Sequence, residues 1–265
     1  MTETKEPHFL TRDVNNPAPG VRIAGPPRVD TFRRGWAWYE SLFEPGAHLP
    51  ARGEASTHYL GSVDTPSLIE EHLPGLKVIF VLRQPVQRAY SHYWQGRKRG
   101  WQLPPFDAIL RDHPALRYLV HVGRYRANVG RYVETLGRDR VHLLLSDDIR
   151  ADPAAAWRGV CAFLEIDPSF VPRFEVEHNP HAEPAHRSVH QLIGRSKYGR
   201  WSFLPAVARR PMRRLRDRIE AWNLRRAAYE PMDPAVSRAL QDLFADDIAF
   251  VEELVRPLPE WRLPT

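Results

Sequence analysis

The sequence predicts an α/β fold organised around a parallel sheet. Two apolar runs, VIFVL at Val78–Leu82 and VHLLL at Val141–Leu145, have the composition of strands buried on both faces, as parallel strands are. Segments with helical spacing follow both runs, and strands alternating with helices are the pattern of βαβ construction. No internal repeat or low-complexity linker interrupts the chain, so residues 1–265 read as one domain.

Taken in order, residues 11–34 are rich in Pro, Gly, Asn and Arg and predict irregular surface chain. GWAWYESLF at Gly35–Phe43 predicts a short helix with an aromatic face, and Ala51–Ser56 a short strand running into a turn. Pro66–Leu73 suits a helix stopped by Pro74-Gly75. After the Val78–Leu82 strand, Val86, Ala89, Tyr90, Tyr93 and Trp94 recur at helical spacing behind Pro85. Tyr125–Leu136 reads as helix and Val141–Leu145 as the second buried strand. Asp152–Leu164 is a helix with Pro153 in its first turn, and Pro234–Leu254 a single long helix.

The composition is that of an ordinary globular protein, 43% hydrophobic and 26% charged. No apolar run approaches the ~20 residues of a membrane span, and the first twenty residues lack a signal-peptide core, so a cytoplasmic protein is expected. The single cysteine, Cys161, excludes an intramolecular disulfide and a multi-cysteine metal site, and no metal is expected. The net charge is +6, and basic residues crowd residues 187–226, where only Asp217 and Glu220 oppose them. Such a segment, read as helical, would attract anions, including an acidic surface. A solvated arginine-rich helix explains it equally well.

The functional reading centres on KVIFVLRQPVQRAYSHYWQG, Lys77–Gly96. In an open α/β sheet ligands sit beyond the carboxyl ends of the strands, which is where Arg83 falls. Pro85 at the first helical position should aim free backbone amides and the positive helix end at the same place. Gln84, Arg88, Ser91 and Gln95 form a polar stripe along that helix. Guanidinium, hydroxyl and helix terminus together suit a phosphate monoester. The residues alone fit a second reading equally, with Arg83 paired to a core carboxylate and Ser91 merely exposed.

This stretch resembles the segment of PAPS-dependent sulfotransferases that binds the cofactor's 3′-phosphate. The resemblance implies that Arg83 and Ser91 hold that phosphate, on a three-layer P-loop-like fold with a central parallel sheet flanked by helices. Other segments agree in order. KEPHFL, Lys5–Leu10, resembles the element carrying the catalytic Glu of the heparan-sulfate-type branch and its bacterial relatives, which implies Glu6 as base with His8 second. Without the resemblance, Glu6 is an exposed acid near a terminus. GWAWYESLF resembles the G-x-x-W-Y helix of the family, GEASTHYL (Gly53–Leu60) its acidic strand end with a following Tyr, and Arg140–Asp167 its strand–Asp–DP–helix stretch. HNPHAEPAHRS, His178–Ser188, lies where relatives close a loop over the nucleotide, which implies a cofactor contact from Arg187. His58 and His92 are read as structural or substrate-lining.

Two departures qualify what the resemblance implies. The family's glycine-rich PK-x-GTT-S loop, which holds the 5′-phosphosulfate, precedes the catalytic Glu, whereas Glu6 is preceded by five residues. The expectation is therefore a fold without its first strand and phosphate loop. Three readings follow: the numbered start falls inside a longer protein, another segment or chain fills the slot, or the chain is a non-catalytic relative. Heparan-sulfate 3-O-sulfotransferases also carry Lys after the Glu of the GEASTHYL segment, where this chain has Ala55. The expected activity is sulfuryl transfer from PAPS to a carbohydrate or small natural-product hydroxyl. The alternatives are an inactive sulfotransferase-like scaffold and a nucleic-acid-binding protein, although no zinc finger or other reader motif is present.

Overall fold

The structure, a computed structural model, describes residues 6–11, 31–98, 103–109, 119–174, 182–184, 218–219, 222, 224–226 and 230–262. The expected βαβ construction is present. Strand β1 (Val78–Leu82) pairs in parallel with β2 (Val141–Leu145), in the register Val78↔Val141 through Leu82↔Leu145. In chain order the helices are α1 (Trp36–Ser41), α2 (Thr65–His72), α3 (Pro85–Lys98), α4 (Phe106–Ile109), α5 (Tyr125–Leu136), α6 (Ser146–Ala151), α7 (Pro153–Leu164), α8 (Pro234–Leu243) and α9 (Ala245–Leu254).

Partners in a parallel ladder project to the same side, so the register sorts the sheet into two faces. Phe80, Leu82, Leu143 and Leu145 point into the main core with Val129 and Tyr132 of α5 and Ile248 and Val251 of α9. The Phe80 and Tyr132 rings meet edge to face at 4.8 Å. Each large apolar side chain buried there contributes roughly 1.5–3 kcal/mol. On the other face α7 covers β2, with Phe163 stacked on His142 at 4.9 Å. Helix, sheet and helix thus form the expected three layers.

Several expectations change. β1 is not buried on both faces: Val81 is 59% exposed, on the face where α7 packs over the neighbouring β2. Ala51–Ser56 forms no strand; it is irregular chain in which the Ser56 hydroxyl accepts from the His8 amide and donates to Glu54 instead of the chain entering a ladder. The long C-terminal helix is two helices, divided at Phe244 (φ −102°, ψ 8°). Phe244 is fully buried against Gly123, where an added Cβ would lie 2.9 Å from its ring, so the chain bends to seat the ring. Of the basic segment, Leu224–Arg226 is a strand, β4, antiparallel to β3 (Ala182–Pro184). The rest of that segment, apart from residues 218–219 and 222, lies outside the described residues, as do Arg187 and the stretch 12–30.

Two aspartates cap helices as side-chain chemistry dictates. Asp152 accepts from the Ala155 amide at 2.8 Å to start α7, and Asp233 accepts from Ala235 and Val236 to start α8. Among the described residues, no helix is long and apolar enough to cross a membrane.

Candidate functional site

Two groups of residues stand out, one at the carboxyl end of β1 and one around the Glu6–Thr11 segment. At the strand end, the Tyr125 hydroxyl donates to the Arg83 carbonyl at 2.7 Å and accepts from the Arg83 amide at 3.4 Å. This fixes the backbone where β1 passes into α3. Tyr125 is fully buried, and burial holds its hydroxyl above the usual tyrosine range, hence protonated. The Arg83 side chain makes only a long contact, 3.5 Å, to Gln87 Oε1. Its Nε is buried with no hydrogen-bond partner, and no carboxylate pairs with it among the described residues. A guanidinium so placed has donors to offer an anion, and no described carboxylate supports the reading of Arg83 as a core ion pair.

Arg83 opens on a groove of about 380 Å³ that Gln87, Tyr90, Met232 and Ser237 also line. The groove's other arginine, Arg262, is already paired with Glu252 at 2.5 Å. Glu260 on its wall is likewise engaged by Arg256, at 2.9 Å. Arg83 is thus the cation there without a carboxylate partner among the described residues.

The polar stripe of α3 divides on inspection. Gln84 is buried, and its Oε1 accepts from the Gln87 amide at 2.7 Å, capping the helix and using one of the donors expected to face a ligand. Its Nε2 donates to Gln241 and to the Trp261 carbonyl, both at 3.1 Å, tying α3 to α8 and the chain's last described turn. Arg88 donates to the Leu119 carbonyl. Gln84 and Arg88 are therefore structural, because helical spacing cannot tell a solvent-facing stripe from one facing neighbouring helices. Ser91 is half-buried on α3 and does not line the groove.

The second group is held together differently. Residues 6–11 contain no regular secondary structure, and Glu6 (φ 51°) and His8 (φ 52°) both occupy the left-handed region. Each such residue costs about 1–3 kcal/mol and persists only where its surroundings enforce it. Here they do. Thr31 Oγ1 donates to the Pro7 carbonyl at 2.8 Å, the His8 amide donates to Ser56 Oγ at 3.0 Å, and the Leu10 amide donates to the Tyr59 hydroxyl at 3.1 Å. Thr65 Oγ1 closes the set on the Leu10 carbonyl.

Glu6 and His8 are brought together, with 3.5 Å between Glu6 Oε2 and His8 Nε2, an ion pair when the imidazole is protonated. The His8 ring stacks on His58, 4.7 Å between centroids. Behind them sits Glu54, which accepts from Ser56 Oγ at 2.8 Å, from the Tyr39 hydroxyl at 3.4 Å and from Tyr59. Burial pushes the Glu54 carboxyl above the usual carboxylate range, hydrogen bonds from Tyr59, Ser56 and Tyr39 pull against it, and the Glu6 charge adds to the rise. Burial and the Glu54 charge raise Tyr39 and Tyr59 in turn. Glu54, Tyr39 and Tyr125 were not among the expected site residues. The signal that marked Glu54 and Tyr59 in the sequence was the family-like GEASTHYL stretch, which carried no role for either residue.

Helix α5 joins the groups. Tyr125 clamps Arg83, and two helical turns on Tyr132 donates to the Tyr59 carbonyl at 2.5 Å. Among the described residues no group of three or more His, Cys, Asp or Glu could hold a metal ion.

Comparison with known proteins fits this geometry. The family model for the sulfotransferase domain matches residues 27–193. The chain belongs to the sulfotransferase domain family. The matched range contains Glu54, Arg83, Ser91 and Arg187 and does not reach Glu6. This sulfotransferase-family chain is 31% identical over 108 residues to human heparan sulfate glucosamine 3-O-sulfotransferase 6, covering 41% of the chain and 26% of that protein. It is 23% identical over 229 residues to mouse heparan sulfate glucosamine 3-O-sulfotransferase 3A1, covering 82% of the chain and 53% of that protein. The chain thus spans between about a quarter and about half the length of these relatives. A sulfotransferase crystal structure from Alicyclobacillus acidocaldarius superposes with a TM-score of 0.67 at 25% identity, over 99% of this chain and 87% of that one.

Proposed function

We propose that the protein transfers a sulfuryl group from PAPS to a hydroxyl acceptor, with Glu6 as the base. The observation that carries this reading is the Arg83 guanidinium. It stands at the carboxyl end of β1 with a buried Nε that no described residue satisfies, beside a groove, in a chain of this family. Arg83 would hold the 3′-phosphate of the nucleotide, with Ser91 and Arg187 assisting from α3 and from the chain beyond β3. Remote phosphate binding of this kind orients the reacting end of a substrate. The acceptor oxygen attacks sulfur as the bond from sulfur to the departing phosphate oxygen breaks, and the acceptor proton passes to the Glu6 carboxylate. As in phosphoryl transfer, positioning and charge stabilisation supply most of the acceleration, and a positioned base adds ~10²–10⁴-fold.

His8 is the runner-up base, favoured by its Nε2 lying 3.5 Å from Glu6. Carbohydrate acceptors are the first class to try, since the named relatives act on heparan sulfate glucosamine. Ala55 sets this chain apart from them at one position.

The test uses ³⁵S-labelled PAPS with a glycan panel headed by heparan sulfate. Glu6→Gln should abolish transfer and leave adenosine 3′,5′-bisphosphate binding intact, while His8→Gln retains measurable transfer. Loss in His8→Gln alone would move the base to His8. Bisphosphate binding without transfer to any acceptor would favour a non-catalytic binding protein on the same fold. Binding to generic DNA that falls steeply with salt, without bisphosphate binding, would favour the nucleic-acid reading.

A further inference from the structure

Glu6 and His8 share a turn that no helix or ladder supports, yet both hold left-handed backbone conformations. What fixes them is one repeated arrangement. Two loop amides, at His8 and Leu10, each donate to a side-chain hydroxyl, Ser56 Oγ at 3.0 Å and Tyr59 Oη at 3.1 Å. The Ser56 hydroxyl in turn donates to the Glu54 carboxylate at 2.8 Å, and the Tyr59 hydroxyl feels the charge of the same carboxylate. A hydroxyl carries one proton and rotates freely, so it offers a lone pair to an amide in a fixed direction only when its own proton is committed elsewhere. Glu54 supplies that commitment for Ser56, and its charge favours the same orientation of the Tyr59 hydroxyl. Tyr39 bonds the remaining oxygen at 3.4 Å and holds the carboxylate itself in place.

We propose that Glu54 is a positioning residue which, acting through Ser56 and Tyr59, locks the Glu6–His8 turn in the geometry that presents the base. It touches neither substrate nor reacting atoms. The proposal rests on the reading of Glu6 as the base, and its physical half, the lock, is measurable without any activity. Because the lock acts on the amides of the turn, its loss should appear as local opening of residues 6–11 and as a lower kcat with an unchanged KM for PAPS. A residue that served only global stability would move neither of these selectively.

The experiment compares wild type with Ser56→Ala, Ser56→Thr and Glu54→Gln in the full chain. Hydrogen exchange is read by mass spectrometry over residues 6–11, thermal unfolding is recorded alongside, and ³⁵S transfer from PAPS to the best acceptor of the panel is measured. Ser56→Ala should speed exchange in that segment about tenfold, the loss of one hydrogen bond, and lower kcat at least tenfold at constant KM. Ser56→Thr, which keeps the hydroxyl, should restore both. Glu54→Gln should loosen the same segment, and it stands as the second probe should Ser56→Ala fail to fold. Unchanged exchange in both variants would overturn the lock. Faster exchange with wild-type kcat, in a protein that Glu6→Gln silences, would overturn the positioning role. Wild-type turnover in Glu6→Gln would instead sink the base assignment, and the exchange measurement would still decide whether Glu54 locks the turn.

Discussion

The strand end that carries Arg83 and the turn that carries Glu6 solve the same task, fixing a candidate site residue, by opposite means. Arg83 is placed by regular structure: a five-residue ladder with β2, a proline-started helix and a buried tyrosine that grips its backbone. Glu6 is placed by side chains alone, from residues 24 to 55 positions away along the chain from the turn residues they hold, against an unfavourable backbone conformation. The first arrangement is strong because many cooperative bonds share it. The second can be undone by a single atom.

The largest expected effect falls on the regular side. Trp261 is 1% exposed; its indole donates to Asp147 at 2.9 Å, and its carbonyl accepts from Gln84 and Gln241. Trp261→Ala should destabilise the protein by about 3–5 kcal/mol, read as a fall in the urea midpoint. Tyr59→Phe, on the irregular side, leaves the Leu10 amide without its acceptor and should cost about 1–3 kcal/mol, with the loss concentrated in exchange at residues 6–11. Asp152→Ala removes the cap of α7, remote from both groups, and should cost about 0.5–2 kcal/mol without altering nucleotide binding.

A smaller effect separates the regions by pH. Burial raises the Glu54 carboxyl, so in the unfolded chain this group loses its proton first, near its ordinary value of 4.5. The folded state then holds more protons than the unfolded one, and the contribution of Glu54 to stability, full below that value, declines as pH rises toward the raised folded value. Glu54→Gln lacks this slope. Its melting temperature relative to wild type should therefore be more favourable at pH 7 than at pH 4, and a difference that does not change with pH would contradict the burial of an ionisable Glu54.

The same contrast explains what the sequence disclosed. Val78–Leu82, the α3 periodicity behind Pro85, Tyr125–Leu136 and the Asp152-Pro153 start of α7 were legible because local pattern and final structure obey one period. Arg83 was legible because its position relative to a strand end carries meaning in any α/β sheet. Gln84 was not, since a buried helix cap and a ligand-facing amide have identical spacing. The break at Phe244 was hidden because its cause, a ring seated against Gly123, is a contact between distant residues. The Glu54 hub was hidden for the same reason. Its acceptors and donors lie 48 and 49 residues apart, and only folding brings them into register.

The decisive titration is adenosine 3′,5′-bisphosphate into the wild-type protein and into Arg83→Ala, followed by calorimetry. Arg83 as the phosphate anchor predicts saturable binding to wild type and an affinity lower by about 10–100-fold in the variant, the worth of a hydrogen bond to a charged group. Equal binding to the two proteins, or none to wild type, would contradict the assignment of the β1 strand end as the nucleotide site.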